Sequence, residues 1–206
     1  MAVVSGGTTL IDNGALDSGV PTGSLILLST QTASASANIS FTSGIDSTYD
    51  SYVFKFYDIH PSAASTRFQF NGSTDGGSNY NVTKTTTIFI AGHQENDGDA
   101  TLTYQSGDDL AQSTGFQDLA AYGDSESEND SSLAGTLQIF NPSSTTFVKH
   151  FIARTNYMAA GGANADYSVD SHTAGYFNTT SAINAIRFQF TSNNIDDGII
   201  KMYGVK

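Results

Sequence analysis

Residues 182–206 constrain this chain more than any other stretch. Ile186, Phe188 and Phe190 alternate with Arg187 and Gln189. That is the period of two of a strand with one face on a core and the other in water. Turn-forming residues interrupt the pattern in Thr191-Ser192-Asn193-Asn194-Ile195-Asp196-Asp197-Gly198, and a second apolar run follows, Ile199-Ile200-Lys201-Met202-Tyr203-Gly204-Val205. The pair reads as a hairpin closing an antiparallel β domain.

Short strands set off by turns recur upstream. Leu25-Ile26-Leu27-Leu28 is a continuous apolar run, which predicts a strand covered on both faces. Residues 38–41 are short and alternating. Tyr52, Phe54 and Phe56 share one face of a strand, with Val53, Lys55 and Tyr57 on the other. Phe68 and Phe70 mark the next, and 80–86, 87–91 and 100–104 continue the series. Leu133, Gly135, Leu137 and Ile139 alternate up to Asn141-Pro142, where proline ends the pairing. Residues 146–154 and 174–177 complete the set. The best helical candidate, 109–122, is interrupted by Gly115. The series predicts an all-β fold over residues 23–206, a single antiparallel β-sandwich of jelly-roll type. Its expected core is Phe54, Phe56, Phe68, Phe70, Leu137, Ile139, Ile186, Phe188 and Phe190. The tetrapeptide Arg-Phe-Gln-Phe occurs at 67–70 and at 187–190. The copies mark equivalent strands of two Greek-key halves, or alternating strands that converge on one word; four residues favour convergence.

Residues 1–22 differ in kind. Gly6, Gly7, Gly14, Gly19 and Pro21 separate small polar residues, and the apolar pairs Val3-Val4 and Leu10-Ile11 stand alone. Two readings are level: an extended N-terminal arm that docks on a neighbouring subunit through Val3, Val4, Leu10 and Ile11, or a terminus that docks on its own domain or on nothing.

Charge and cysteine narrow the function classes. Eight Lys+Arg against twenty Asp+Glu give a net charge of −12. Such a surface repels phosphate backbones and anionic bilayers, so neither nucleic acid nor membrane is an expected partner. No apolar run is long enough to span a bilayer, and 1–7 lacks the basic and apolar regions of a signal peptide. With no cysteine there is no disulfide or thiolate chemistry. The sequons at Asn38, Asn71, Asn81, Asn129 and Asn178 read as by-products of a Ser/Thr/Asn-rich composition.

Candidate chemistry is thin. Histidines stand at 60, 93, 150 and 172, but no serine lies in a Gly-x-Ser-x-Gly elbow. His93-Gln94-Glu95 sets a base beside a carboxylate in a polar stretch that reads as a solvated loop, and His150 reads as a strand residue. Nothing selects a pair of carboxylates for glycoside hydrolysis. No catalytic residue is therefore expected, and the chain reads as a non-enzyme. Three acidic stretches, 95–99, 124–130 and 193–197, offer oxygen ligands, yet none follows the EF-hand pattern. They read as solvated turns, with no metal or cofactor. Tyr80, Tyr104, Tyr122, Tyr167 and Tyr176 adjoin polar loops. They read as glycan platforms or, by default, as buried rings with hydroxyls at the surface.

Four segments carry a resemblance: Leu27-Leu28-Ser29-Thr30-Gln31-Thr32-Ala33, Phe41-Thr42-Ser43-Gly44-Ile45-Asp46-Ser47-Thr48-Tyr49, Tyr57-Asp58-Ile59-His60-Pro61, and Ile199-Ile200-Lys201-Met202-Tyr203-Gly204. From about Gly23 onward the chain resembles a family of small structural proteins of tailed bacteriophages from marine bacteria. The resemblance implies a virion component assembled in the host cytoplasm: a capsid decoration protein, a fibre or a tail appendage. It implies other virion proteins, capsid or tail subunits, as partners, and a homo-oligomer, with a trimer among the options. It brings no active site. The alternative from another class is a receptor-recognition module of a tail fibre that binds host-surface glycan.

Overall fold

The computed structural model describes residues 3–5, 7–12, 15–16, 25–122, 125–160 and 166–206; every regular element among them is a β-strand. Eight strands form one antiparallel sheet, in the order β4 (Ile26–Thr32), β15 (Ile195–Val205), β6 (Ser51–Pro61), β11 (Leu133–Phe140), β12 (Lys149–Ala159), β13 (Tyr167–Phe177), β8 (Lys84–Gln94) and β9 (Ala100–Tyr104). Four form the second, in the order β10 (Gln117–Asp118), β7 (Phe68–Ser73), β14 (Ala185–Phe190) and β5 (Ile39–Phe41). In the arm, β1 (Val3–Ser5), β2 (Thr8–Asp12) and β3 (Ala15–Leu16) pair antiparallel with one another. The boundary expected at 22/23 lies outside the described residues.

Phenylalanine joins the two larger sheets. Phe188 of β14 is fully buried, and its ring lies 5.3 Å from Phe54 and 5.1 Å from Phe56, both on the facing sheet. Phe70 reaches across to Phe151 at 5.0 Å and Phe41 to Phe54 at 5.3 Å. These edge-to-face contacts add to the area that each ring removes from water. The nine expected core residues are all buried.

The two Arg-Phe-Gln-Phe copies are antiparallel neighbours. Phe68 pairs with Phe190, Gln69 with Gln189 and Phe70 with Phe188. Both strands face the same core across the same sheet, so alternation sends phenylalanine inward and glutamine outward in each. They share a sheet and a local twofold centred on Gln69 and Gln189.

The closing hairpin is a correction. β14 pairs with β5 and β7, whereas β15 pairs with β4 and β6; residues 191–194 carry the chain from one sheet to the other. Alternation records which face is buried, not which strand supplies the hydrogen bonds. An arch between sheets and a hairpin within one therefore write the same pattern. β15 also begins inside the polar stretch, at the fully buried Ile195. Two register irregularities between Ile195 and Ile199, with Gly198 at φ 128°, absorb the turn-like residues. Gly204 has a packing reason: the Tyr49 ring lies where its Cβ would be.

Three more expectations change. β4 is an edge strand, and Leu25 and Leu27 are exposed because none of the described residues covers their face. The strands expected at 80–86 and 87–91 are one, β8. The helical candidate 109–122 is an irregular strap that bridges to Lys84 of β8 through Ser113 and then joins the smaller sheet as β10. Its backbone groups are engaged by the large sheet. The Ser113 carbonyl accepts from the Lys84 N–H, and the Thr155 and Thr173 hydroxyls donate to the Leu119 and Asp118 carbonyls. The Tyr157 hydroxyl donates to the Tyr122 carbonyl and accepts from its N–H. With partners supplied from outside, helical hydrogen bonds are not needed.

Candidate functional site: a free sheet face and an acidic cleft

The period of two that fills the core also builds an outer face. On β6 the inward residues Tyr52, Phe54 and Phe56 are buried, and Val53, Lys55 and Tyr57 turn the other way. On β12 Phe151, Ala153 and Thr155 are buried, while His150, Ile152 and Arg154 are exposed. At one level, strand pairing aligns Lys201, Lys55, Thr136, Arg154, His172 and Phe89 in a row across the sheet. Lys55 and Lys201 stand directly opposite each other. The Lys55 ammonium lies 5.4 Å from the centre of the Tyr203 ring, and that of Lys201 lies 5.5 Å from Tyr57. Arg154 donates to Asp170 from Nε at 2.9 Å and Nη2 at 2.7 Å, which holds the Asp170 carboxyl below its ordinary range. The His172 ring stacks on Phe89, centroids 4.8 Å apart.

Short side chains leave two depressions in this face. One, of about 450 Å³, lies over Ala134 beside Thr136, Arg154 and Asp170. The other, of about 420 Å³, lies over Ala174 beside Ile152, His150 and Tyr176. Leu27, Ile152 and Phe89 project from the same face at 52%, 56% and 44% exposure.

A separate cleft of about 390 Å³ is acidic. Asp58, Asn129, Asp130, Asp196 and Asp197 line it with His60, whose Nδ1 donates to the Ser131 carbonyl at 2.8 Å. Two of the three acidic stretches thus meet, although Asp124 lies outside the described residues. The third stays in the loop between β8 and β9, where His93 Nε2 lies 3.1 Å from Asp97. Among the described residues no three His, Asp or Glu side chains are placed to hold one metal ion.

Sequence reasoning missed two buried lysines. Lys84 and Lys149 are both fully buried, and strand pairing sets them on either side of Phe177. The Lys84 ammonium donates to Asn71 Oδ1 at 2.7 Å and to the Val82 carbonyl at 3.0 Å, a link between the two sheets. Burial brings its pKa down to about 7. Lys149 Nζ donates to the Thr179 carbonyl at 2.9 Å, and burial lowers it too. The signal was present: Lys84 shares its parity with Thr86, Ile88 and Ile90, all inward.

The other expected site residues divide. Val3 and Val4 are exposed on β1, and Val3 pairs with Ile11 of β2; the side chains of Leu10 and Ile11 lie outside the described residues. Tyr80 is buried beneath the Arg187 guanidinium, 4.0 Å from its ring centre, and Tyr122 meets Tyr167 edge to face. Tyr104 is exposed, with its hydroxyl on Asp109. Compared with known proteins, the chain matches no family model, no curated protein and no solved structure.

Proposed function

We propose that this chain is a non-enzymatic structural subunit of a bacteriophage virion, a capsid decoration or fibre/tail-appendage component attached to other virion subunits. The observation that carries the reading is the outer face of the eight-stranded sheet, which none of the described residues covers. It is backed by an aromatic core and carries exposed Leu27, Ile152 and Phe89 beside two depressions. Leu27, Ile152 and Phe89 stand apart on β4, β12 and β8, so what favours contact between proteins is the breadth of the face, with apolar side chains and depressions interspersed among polar groups. The resemblance supplies the setting. Quantitative mass spectrometry of purified virions tests it: hundreds of copies per particle mean capsid decoration, and a few to tens mean a tail or fibre part. Absence from the particle refutes the reading.

A second reading, a host-glycan binding module, is favoured by Tyr57 and Tyr104, which are exposed on strands of the same sheet. Binding to host envelope polysaccharide that Tyr104→Ala abolishes would support it over a purely structural role.

A further inference from the structure

The Lys55–Lys201 pair works against the fold. Residues directly opposite on antiparallel strands have their Cβ atoms about 4.5–5.5 Å apart, and like charges there destabilise the sheet. Each ammonium is eased by a tyrosine ring, but neither has a carboxylate partner among the described residues. Of the other cations, Lys84 and Lys149 are buried, Arg67 is held by Asp108 and Asp118, Arg154 by Asp170, and Arg187 lies over Tyr80 and donates to Ser40 Oγ, which leaves the chain-terminal Lys206. In a chain of net charge −12, two unneutralised amines side by side on the second and third strands of this face call for an arriving anionic surface.

The chain carries such a surface itself. The cleft rimmed by Asp58, Asp130, Asp196 and Asp197 gathers carboxylates around one concavity. We propose that the outer face of the eight-stranded sheet seats a second copy of this chain, head to tail, with the acidic cleft of one copy on the Lys55–Lys201 pair of the next. A twofold contact centred on the lysine pair would set lysines against lysines, whereas a head-to-tail contact sets them against carboxylates. This deepens the reading of a virion subunit, on which it rests, by naming the first partner.

Sedimentation velocity on the full chain tests it at low salt and at 1 M salt, where the Debye length falls to about 3 Å. Wild type should self-associate at low salt and dissociate at high salt. Lys55→Glu with Lys201→Glu should be monomeric, as should Asp130→Lys with Asp196→Lys. Equimolar mixing of the two should restore assembly, because each then offers the other a complementary surface. Lys55→Gln with Lys201→Gln, which adds no new charge, should weaken assembly if the reversed pair fails to fold. Monomeric wild type at low salt, or association undiminished in the variants, overturns the proposal. So does a lysine pair that takes an anionic polysaccharide while wild type stays monomeric. Any of these outcomes leaves the virion reading standing if the protein is counted in particles; absence from particles refutes that reading whatever the oligomeric state.

Discussion

Lys84→Met should stabilise the protein in mild acid and destabilise it in mild alkali. Lys84 is fully buried, and burial brings its pKa from 10.5 to about 7. The unfolded chain binds this proton below about 10.5, and the folded chain only below about 7. Between those limits the unfolded state holds more protons, so wild-type stability rises with pH by up to about 1.4 kcal/mol per pH unit. The lowered pKa is thus a penalty fully present below about 7 and gone above about 10.5, amounting to about 5 kcal/mol across the window. Methionine fills similar space without the charge. It also forfeits the hydrogen bonds to Asn71 and the Val82 carbonyl, a loss of about 1 kcal/mol each. At pH 6 the variant should therefore be about 2–3 kcal/mol more stable than wild type. At pH 10 less than about 1 kcal/mol of the penalty remains, the lost hydrogen bonds dominate, and the variant should be about 1 kcal/mol less stable. Urea unfolding followed by tyrosine fluorescence at both pH values reads the difference, and the subtraction removes titrations common to both proteins. A difference of the same sign and size at pH 6 and pH 10 would refute the reasoning. Lys84→Arg, charged throughout, should be destabilised at both.

Phe188→Ala should cost about 3–5 kcal/mol, because the ring contacts both sheets and the space it leaves cannot close; an unchanged unfolding midpoint would show the core is placed wrongly. Deleting residues 1–22 should leave the thermal transition of the sandwich nearly unchanged and abolish incorporation into particles. Among the described residues the three short arm strands pair only with one another, and so small a sheet is marginal without a partner. Normal incorporation of the truncated protein would move docking off the arm. Elemental analysis of protein purified without chelator should find no stoichiometric metal; stoichiometric calcium would point to the cleft of Asp58, Asp130 and Asp196.

Parity was legible in the sequence and pairing was not. Every residue expected in the core from alternation is inside, since side-chain direction along a strand is a local property. What alternation omits is the neighbour. Residues 186–205 read as a hairpin although their strands lie in different sheets, and the Arg-Phe-Gln-Phe copies gave no sign of being partners. Leu25–Leu28 read as covered because apolar composition was taken for burial, whereas an edge strand leaves Leu27 half exposed. The free face escaped notice for a related reason. Lys201, Lys55, Thr136, Arg154 and His172 come from five strands, and only the register sets them in a row. The acidic cleft was half visible: two of its stretches stood out as charge runs, but nothing local joined them to His60.

Lys84 and Lys55 show how one residue type takes two roles by direction alone. Lys84 points inward on β8, where the low-polarity surroundings suppress its charge and its amine ties Asn71 of one sheet to the other. Lys55 points outward on β6, over a tyrosine ring and opposite a second lysine. The inward lysine belongs to stability, and the outward one to what the face meets. The two assays should separate them. Lys84→Met should alter the pH dependence of unfolding and leave salt-sensitive self-association as in wild type. Lys55→Gln with Lys201→Gln should weaken self-association and, with the like-charge opposition relieved, leave stability equal to or slightly above wild type. If the outward pair instead lowered stability by several kcal/mol, the lysines would be holding the sheet together, and the face would have to find its partner through Ile152, Leu27 and the two depressions alone.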